Sequence, residues 1–242
     1  MIVDGFRVDG ARLDEDARSG EWPWTVPAVA QLTRDGMRFR APITVLVGEN
    51  GAGKSTLVEA MAESYGVDVR GGHGARRYAS ALPKGSLGER LRFDRGPLYG
   101  MARGAGYFLR AETAMGVLEY MTGAGVDGYG DESAAEISHG EGFLQLFRGR
   151  FDGPGLYVLD EPESALSFTS SLALVSTLLT VTSERGQVIC ATHSPIIAAT
   201  PGADIIQVDA HGFHRTSWDD LEMVGHWQRF LRSPEQYLRH LR

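Results

Sequence analysis

The sequence predicts an α/β fold, and three observations predict it. Short apolar runs at Ile43–Val47, Leu156–Leu159, Gln187–Thr192 and Ile205–Val208 read as strands, and most of them lead into a helical pattern or a sharp turn. Residues 48–55, Gly-Glu-Asn-Gly-Ala-Gly-Lys-Ser, follow the first of these runs with the spacing GxxxxGK[ST] and open a helix at about Lys54–Ala62. A long helix is expected over Phe168–Ser183, with Leu172, Val175, Leu178 and Leu179 on one face.

The remaining elements follow in chain order. Phe6-Arg7-Val8 and Arg38-Phe39-Arg40, flanked by the turn signals Asp9-Gly10 and Asp35-Gly36, predict strands of a small antiparallel layer. From about 66 to 110 glycine is frequent, which predicts loops and short elements. Residues 111–121 have helical spacing, a glycine-rich loop covers 123–130, and a second helix is expected over 140–151. His193-Ser194-Pro195 is a turn after the strand ending at Thr192. Residues 227–242 are amphipathic and predict a helix. No internal repeat, coiled-coil heptad run or low-complexity segment appears.

Bulk properties narrow the class. The 242 residues can bury a real core, and no uninterrupted apolar stretch reaches membrane-spanning length. The N-terminal residues lack the basic and apolar regions of a signal peptide. The only cysteine, Cys190, sits in an apolar run and reads as a buried thiol. These features lead us to expect a cytoplasmic protein without direct membrane insertion. The net charge of −7 argues against a globally basic coat for nucleic acid. Within 70–110, however, nine basic residues face only Glu89 and Asp94. That segment is either a solvated face or a surface for an anionic partner.

The chemistry concentrates around residues 48–55. Glycines let successive backbone N–H groups converge on an anion, and the helix after them adds its positive end. This makes Gly48, Glu49, Asn50, Gly51, Ala52, Gly53, Lys54, Ser55 and Thr56 the expected lining of a nucleoside triphosphate site. Lys54 is expected on the β- and γ-phosphates and the Ser55 hydroxyl on Mg²⁺. The chain has only two lysines, so a common residue does not explain the match. Asp160, at the end of a four-residue apolar strand, is a second candidate for holding Mg²⁺. Glu161 is a candidate base for an attacking water, and His193 a candidate contact to the γ-phosphate or that water. Ser138 and Gly140, before the apolar run 143–147, suit either phosphate binding or helix capping.

Taken in order, these motifs resemble the nucleotide-binding domain of ABC-type ATPases. The Walker A loop is Gly48–Ser55, the signature Ile137–Glu141, Walker B Leu156–Glu161, the D-loop Ser164–Ser167, and the switch histidine His193. The words around Phe108–Glu112 and Ser138–Leu144 resemble a group of small bacterial ATPases labelled AAA-family or ABC-like. The resemblance implies a P-loop NTPase fold with an ABC-ATPase-like, mostly parallel core sheet, a small N-terminal antiparallel β layer and a helical subdomain. It implies one domain over 1–242, with 1–65 and 152–242 as the nucleotide-binding lobe and about 66–151 as an inserted helical, basic subdomain. It further implies ATP and Mg²⁺ as ligands and an ATP-dependent head-to-tail homodimer, with Ser138 and Gly140 acting on the partner's nucleotide. Three positions depart from the family pattern: His139 replaces a signature glycine, Ser167 replaces the D-loop aspartate, and no glutamine lies between Gln31 and Gln145 to serve as the Q-loop residue. An adenine-stacking aromatic upstream of Walker A would be Trp22 or Trp24. The process driven stays open among three: a soluble process on nucleic acid or a protein partner, transport as an ATP-binding subunit, and nucleotide sensing in a defence system.

Overall fold

The computed structural model describes residues 1–10, 20–69, 86–102, 104–111, 151 and 153–239. The helices expected over 111–121 and 140–151 lie outside these residues, Ala111 and Phe151 excepted, as does the loop at 123–130. Ser138 and Gly140 lie outside them too.

Six strands form the main sheet: β3 (Ile43–Val47), β5 (Gly106–Arg110), β6 (Leu156–Asp160), β7 (Gln187–Thr192), β8 (Asp204–Asp209) and β9 (Gly212–Arg215). Their spatial order is β5-β6-β7-β3-β8-β9. The first five are parallel, and β9 returns antiparallel to β8 as a hairpin. β1 (Val3–Val8), β2 (Met37–Arg38) and β4 (Leu91–Arg95) form a separate antiparallel sheet in the order β2-β1-β4.

Strands such as β6 and β7 are apolar apart from their polar ends because both faces of the sheet are covered. Leu156 and Val158 point into one cluster with Leu46, Ile189 and Ile206, under helices α1 (Pro27–Asp35) and α2 (Lys54–Tyr65). Tyr157 and Leu159 point the other way, into a cluster with Val45, Val188 and Cys190. That side is covered by α5 (Phe168–Ser183), which follows the short helices α3 (Leu87–Arg90) and α4 (Tyr99–Ala102) in the chain, and by α6 (Pro195–Ala198). Cys190 is fully buried, and this burial pushes its thiol pKa well up.

The small sheet is tied to the main one by Gln187, a fully buried side chain at the start of β7. Its Oε1 accepts from the backbone N–H groups of Ile2 and Val3 at 2.7 and 2.8 Å, and its Nε2 donates to the Val3 carbonyl at 2.8 Å. Gln31 does similar work at the β9 edge of the main sheet. Its amide pairs with both backbone groups of Phe213 and so occupies the open side of β9.

Several expectations change. The second small-sheet strand spans Met37–Arg38, not residues 38–40. Within 66–110, where loops and short elements are expected, β4 joins the small sheet and β5 forms an edge of the main sheet. The buried face of α5 is Ser171, Leu174, Leu178 and Val181, while Leu172 and Leu179 are exposed. That helix is apolar around most of its circumference, so periodicity does not fix its phase; packing on β7 and α6 does. The tail helix begins at Glu222 and breaks at Ser233-Pro234, giving α7 (Glu222–Arg232) and α8 (Glu235–Leu238). Proline lacks the N–H that a continuous helix needs.

The charge count over 70–110 overstates the free charge. Of the four described basic residues there, Arg90 is buried against Trp24 and Arg92 bonds Asp9 at 3.3 Å. Arg95 lies over Tyr99, and Arg110 pairs with Glu59 and Asp160. No described helix is long and apolar enough to cross a membrane.

Gln187→Ala deletes three buried hydrogen bonds at once and leaves backbone groups without partners. We expect a loss of about 2–3 kcal/mol in urea unfolding, with an unchanged m-value.

Candidate active site

The site lies at the carboxyl ends of the parallel strands, where open α/β sheets bind ligands. β3 ends at Val47, and the loop 48–53 carries the chain into α2. Gly48 is required by space: a Cβ there would stand 2.0 Å from the Val208 carbonyl oxygen. Gly53 is required by conformation, since it takes φ +100° immediately before the helix. That left-handed turn directs the first N–H groups of α2 toward the concave side of the loop.

Lys54 is 3% exposed. Its Nζ donates to the Glu49 carbonyl at 3.0 Å and lies 2.8 Å from His193 Nε2. Burial lowers its pKa below 10.5, against the pull of Glu161, Asp160 and Glu163. Ser55 Oγ donates to Asp160 Oδ1 at 3.0 Å, joining the start of α2 to the end of β6. Asp160 is 2% exposed, and its other oxygen accepts from Arg110 Nε at 2.9 Å and Nη2 at 2.5 Å. Arg110 Nη2 also bonds Glu59 on α2. Burial works against the guanidinium charge, but its hydrogen bonds to Asp160 and Glu59 outweigh this and raise its pKa.

After Asp160 the chain turns sharply. Glu161 has φ 48°, a left-handed conformation rare for a residue with a side chain. The turn is held by its N–H to the Ala191 carbonyl at 2.9 Å and by the Ser164 hydroxyl, which donates to the Glu161 carbonyl at 2.9 Å. The Glu161 side chain is 40% exposed, and its Oε1 lies 3.2 Å from His193 Nε2. His193 Nε2 therefore stands between a donor and an acceptor. With the proton on Nδ1 it accepts from Lys54; with the proton on Nε2 it donates to Glu161. The His193 N–H bonds the Glu163 carboxylate, whose other oxygen is buried without a hydrogen-bond partner among the described residues.

These groups border two hollows. One, of about 630 Å³, is lined by Glu49, Asn50, Glu161, Glu163, Ser164 and His193. The other, of about 240 Å³, is lined by Ser55, Arg110, Ala111, Asp160, Glu161 and Ser164. A hydroxyl and one carboxylate joined by a hydrogen bond suit Mg²⁺, which takes hard oxygen donors and keeps several waters and phosphate oxygens. No cluster of three or more His, Cys, Asp or Glu residues able to hold a metal occurs among the described residues.

Of the expected site residues, Glu49, Asn50, Lys54, Ser55, Asp160, Glu161 and His193 thus come together across long sequence separations. Ser167 does not reach this cluster. It caps α5, with its Oγ accepting from the Ser170 N–H at 3.2 Å. Trp24 packs partly buried against the core, whereas Trp22 is 73% exposed. Sequence reading did not assign roles to Arg110, Glu59 or Glu163. A signal for Arg110 existed: the apolar run Tyr107-Phe108-Leu109 ends in a charge, as Leu156–Leu159 ends in Asp160.

The sheet, the loop and the carboxylate strand form a fold of the P-loop NTPase type. A family profile described as "AAA domain, putative AbiEii toxin, Type IV TA system" matches residues 126–199, and one described as "AAA domain" matches residues 34–64. Over these two segments the chain is accordingly similar to AAA domains. No curated protein matches its sequence. Among solved structures, the SMC head domain from Thermotoga maritima is 16% identical with a TM-score of 0.43, covering 75% of this chain and 92% of that one. The cbiO1 protein from Clostridium perfringens, part of the ABC transporter complex cbiONQ, is 16% identical with a TM-score of 0.45, covering 85% and 88%.

The lowered Lys54 pKa has a pH signature. A bound polyphosphate favours the charged ammonium, so binding takes up a proton wherever Lys54 is neutral in the free site. Below the lowered pKa affinity is independent of this group. Above it, the Kd for inorganic pyrophosphate rises by up to about tenfold per pH unit, beginning below pH 10.5. Lys54→Arg removes that rise in calorimetric titrations across the alkaline range.

Proposed function

We propose that this chain is an Mg²⁺-dependent ATPase that encloses ATP between two copies of itself. The observation that carries the reading is that two hydrogen-bonded groups, Lys54–His193–Glu161 and Ser55–Asp160, stand at one end of the sheet. Few roles other than triphosphate chemistry ask for a buried lysine, a hydroxyl–carboxylate pair and a second carboxylate beside a glycine-rich loop.

The triphosphate would lie along Gly48–Thr56, bound by backbone N–H groups and the helix terminus. Lys54 would leave the Glu49 carbonyl for the β- and γ-phosphate oxygens. Ser55 and Asp160 would hold Mg²⁺, which supplies charge neutralisation on the phosphates. Glu161, half in solvent at the larger hollow, would take the proton of the attacking water. His193 would orient that water or the γ-phosphate, using its other tautomer to release Glu161. Of Trp22 and Trp24, the exposed Trp22 would be the one to stack on adenine. Ser138 and Gly140 of the second copy would close over the γ-phosphate, which makes dimerisation ATP-dependent.

The work driven by hydrolysis is proposed to be a soluble process on nucleic acid or a protein partner. A second reading, nucleotide sensing in a defence system, is favoured by the profile described for a type IV toxin–antitoxin protein. Both use the same residues and differ in turnover.

Lys54→Ala should weaken ATP binding at least tenfold by calorimetry; unchanged affinity would contradict the site. Glu161→Gln should slow single-turnover hydrolysis by about 10²–10⁴-fold while sparing binding. In sedimentation with ATP and Mg²⁺ this variant should form a dimer, and a monomer at every protein concentration would remove the dimer claim.

A further inference from the structure

Asp160 is a nearly fully buried carboxylate, and such a group must be paired with positive charge or strong donors. Arg110 provides the charge. The two residues are register partners on the neighbouring strands β5 and β6, so backbone pairing itself brings them together. The guanidinium is shared: Nη2 bonds both Asp160 Oδ2 and Glu59 Oε1, while Nε bonds Asp160 Oδ2 at 2.9 Å. Glu59 lies one helical turn beyond Ser55 on α2. Arg110 therefore stands on the wall of the same small hollow that Ser55 and Asp160 line.

We propose that Arg110 is a built-in counter-cation that competes with a divalent cation for Asp160, and that metal loading shifts the guanidinium from Asp160 onto Glu59. The inference rests on the reading of Ser55 and Asp160 as the pair that holds Mg²⁺. Its physical basis is that a guanidinium never loses its charge at ordinary pH. A second cation at the same carboxylate meets like-charge repulsion unless the first withdraws. Withdrawal is a short shift, because one nitrogen already rests on Glu59. The Ser55 bond to the opposite oxygen, Oδ1, keeps the carboxylate oriented while this happens. Arg110 is thus a positioning residue that sets the metal concentration at which nucleotide is gripped.

The sharing gives two variants of opposite sign. Arg110→Gln removes the competitor; Glu59→Gln removes the place to which the competitor withdraws. The test is a titration of Mg²⁺ into the full chain with a slowly hydrolysed fluorescent ATP analogue, read by fluorescence, with thermal unfolding measured alongside. The half-saturating Mg²⁺ concentration should fall about tenfold in Arg110→Gln and rise several-fold in Glu59→Gln, the scale of one charged hydrogen bond. Midpoints that stay unchanged, or that move in the same direction with lost thermal stability, overturn the proposal. Glu59→Gln retains the Arg110–Asp160 pair and decides the matter if Arg110→Gln does not fold. A wild-type chain that binds no analogue at any Mg²⁺ concentration ends the ATPase reading as well. Binding with unmoved midpoints ends this inference alone.

Discussion

The parallel register of β5, β6, β7 and β3 is the constraint on which the rest of the structure depends. Arg110 is paired opposite Asp160, Asp160 opposite Ala191, and Ala191 opposite Leu46. Four segments distant in sequence therefore end in one row, and Lys54, Ser55, Arg110, Asp160, Glu161 and His193 come from that row or the residues soon after it. A slip of one residue would turn Leu159, which belongs in the core, toward the position of Asp160. Both faces of β6 are apolar, so what opposes the slip is the pairing of Asp160 with Ser55 and Arg110 at the end of the strand.

Burial then determines the electrostatics. Lys54 and Asp160 are both almost out of water, and neither is tolerable without partners. The structure answers with a chain of contacts running Glu59–Arg110–Asp160–Ser55 on one side and Glu49–Lys54–His193–Glu161 on the other. Both chains begin and end on the loop 48–53, α2 or the turn after β6. Charge is held near the loop in a form that an entering polyanion can reorganise, since the lysine rests on a carbonyl and a histidine rather than a carboxylate.

Much of this was legible in the sequence, for identifiable reasons. The loop carries glycines at fixed offsets from Lys54 and Ser55, and β6 and β7 are apolar runs with abrupt polar ends. The structure gives Gln187–Thr192 and Phe168–Ser183 the same bounds that the sequence predicts. What was not legible depended on tertiary context. β4 and β5 lie in a glycine-rich stretch, where local composition favours loops, and only pairing with β1 and β6 makes them strands. The phase of α5 was hidden because apolar residues surround it. Arg110 was counted among surface charges, since nothing local distinguishes a guanidinium that solvates from one that pairs across a sheet.

The central claim is that a triphosphate is gripped between the loop at 48–55 and the carboxylates at 160 and 161. A crystal structure of the chain grown with a non-hydrolysable ATP analogue and Mg²⁺ tests it most directly. The account predicts phosphates on the backbone N–H groups of the loop, the Lys54 ammonium moved off the Glu49 carbonyl, and the metal between Ser55 and Asp160. An analogue bound elsewhere, with Lys54 still on Glu49 and His193, would contradict it.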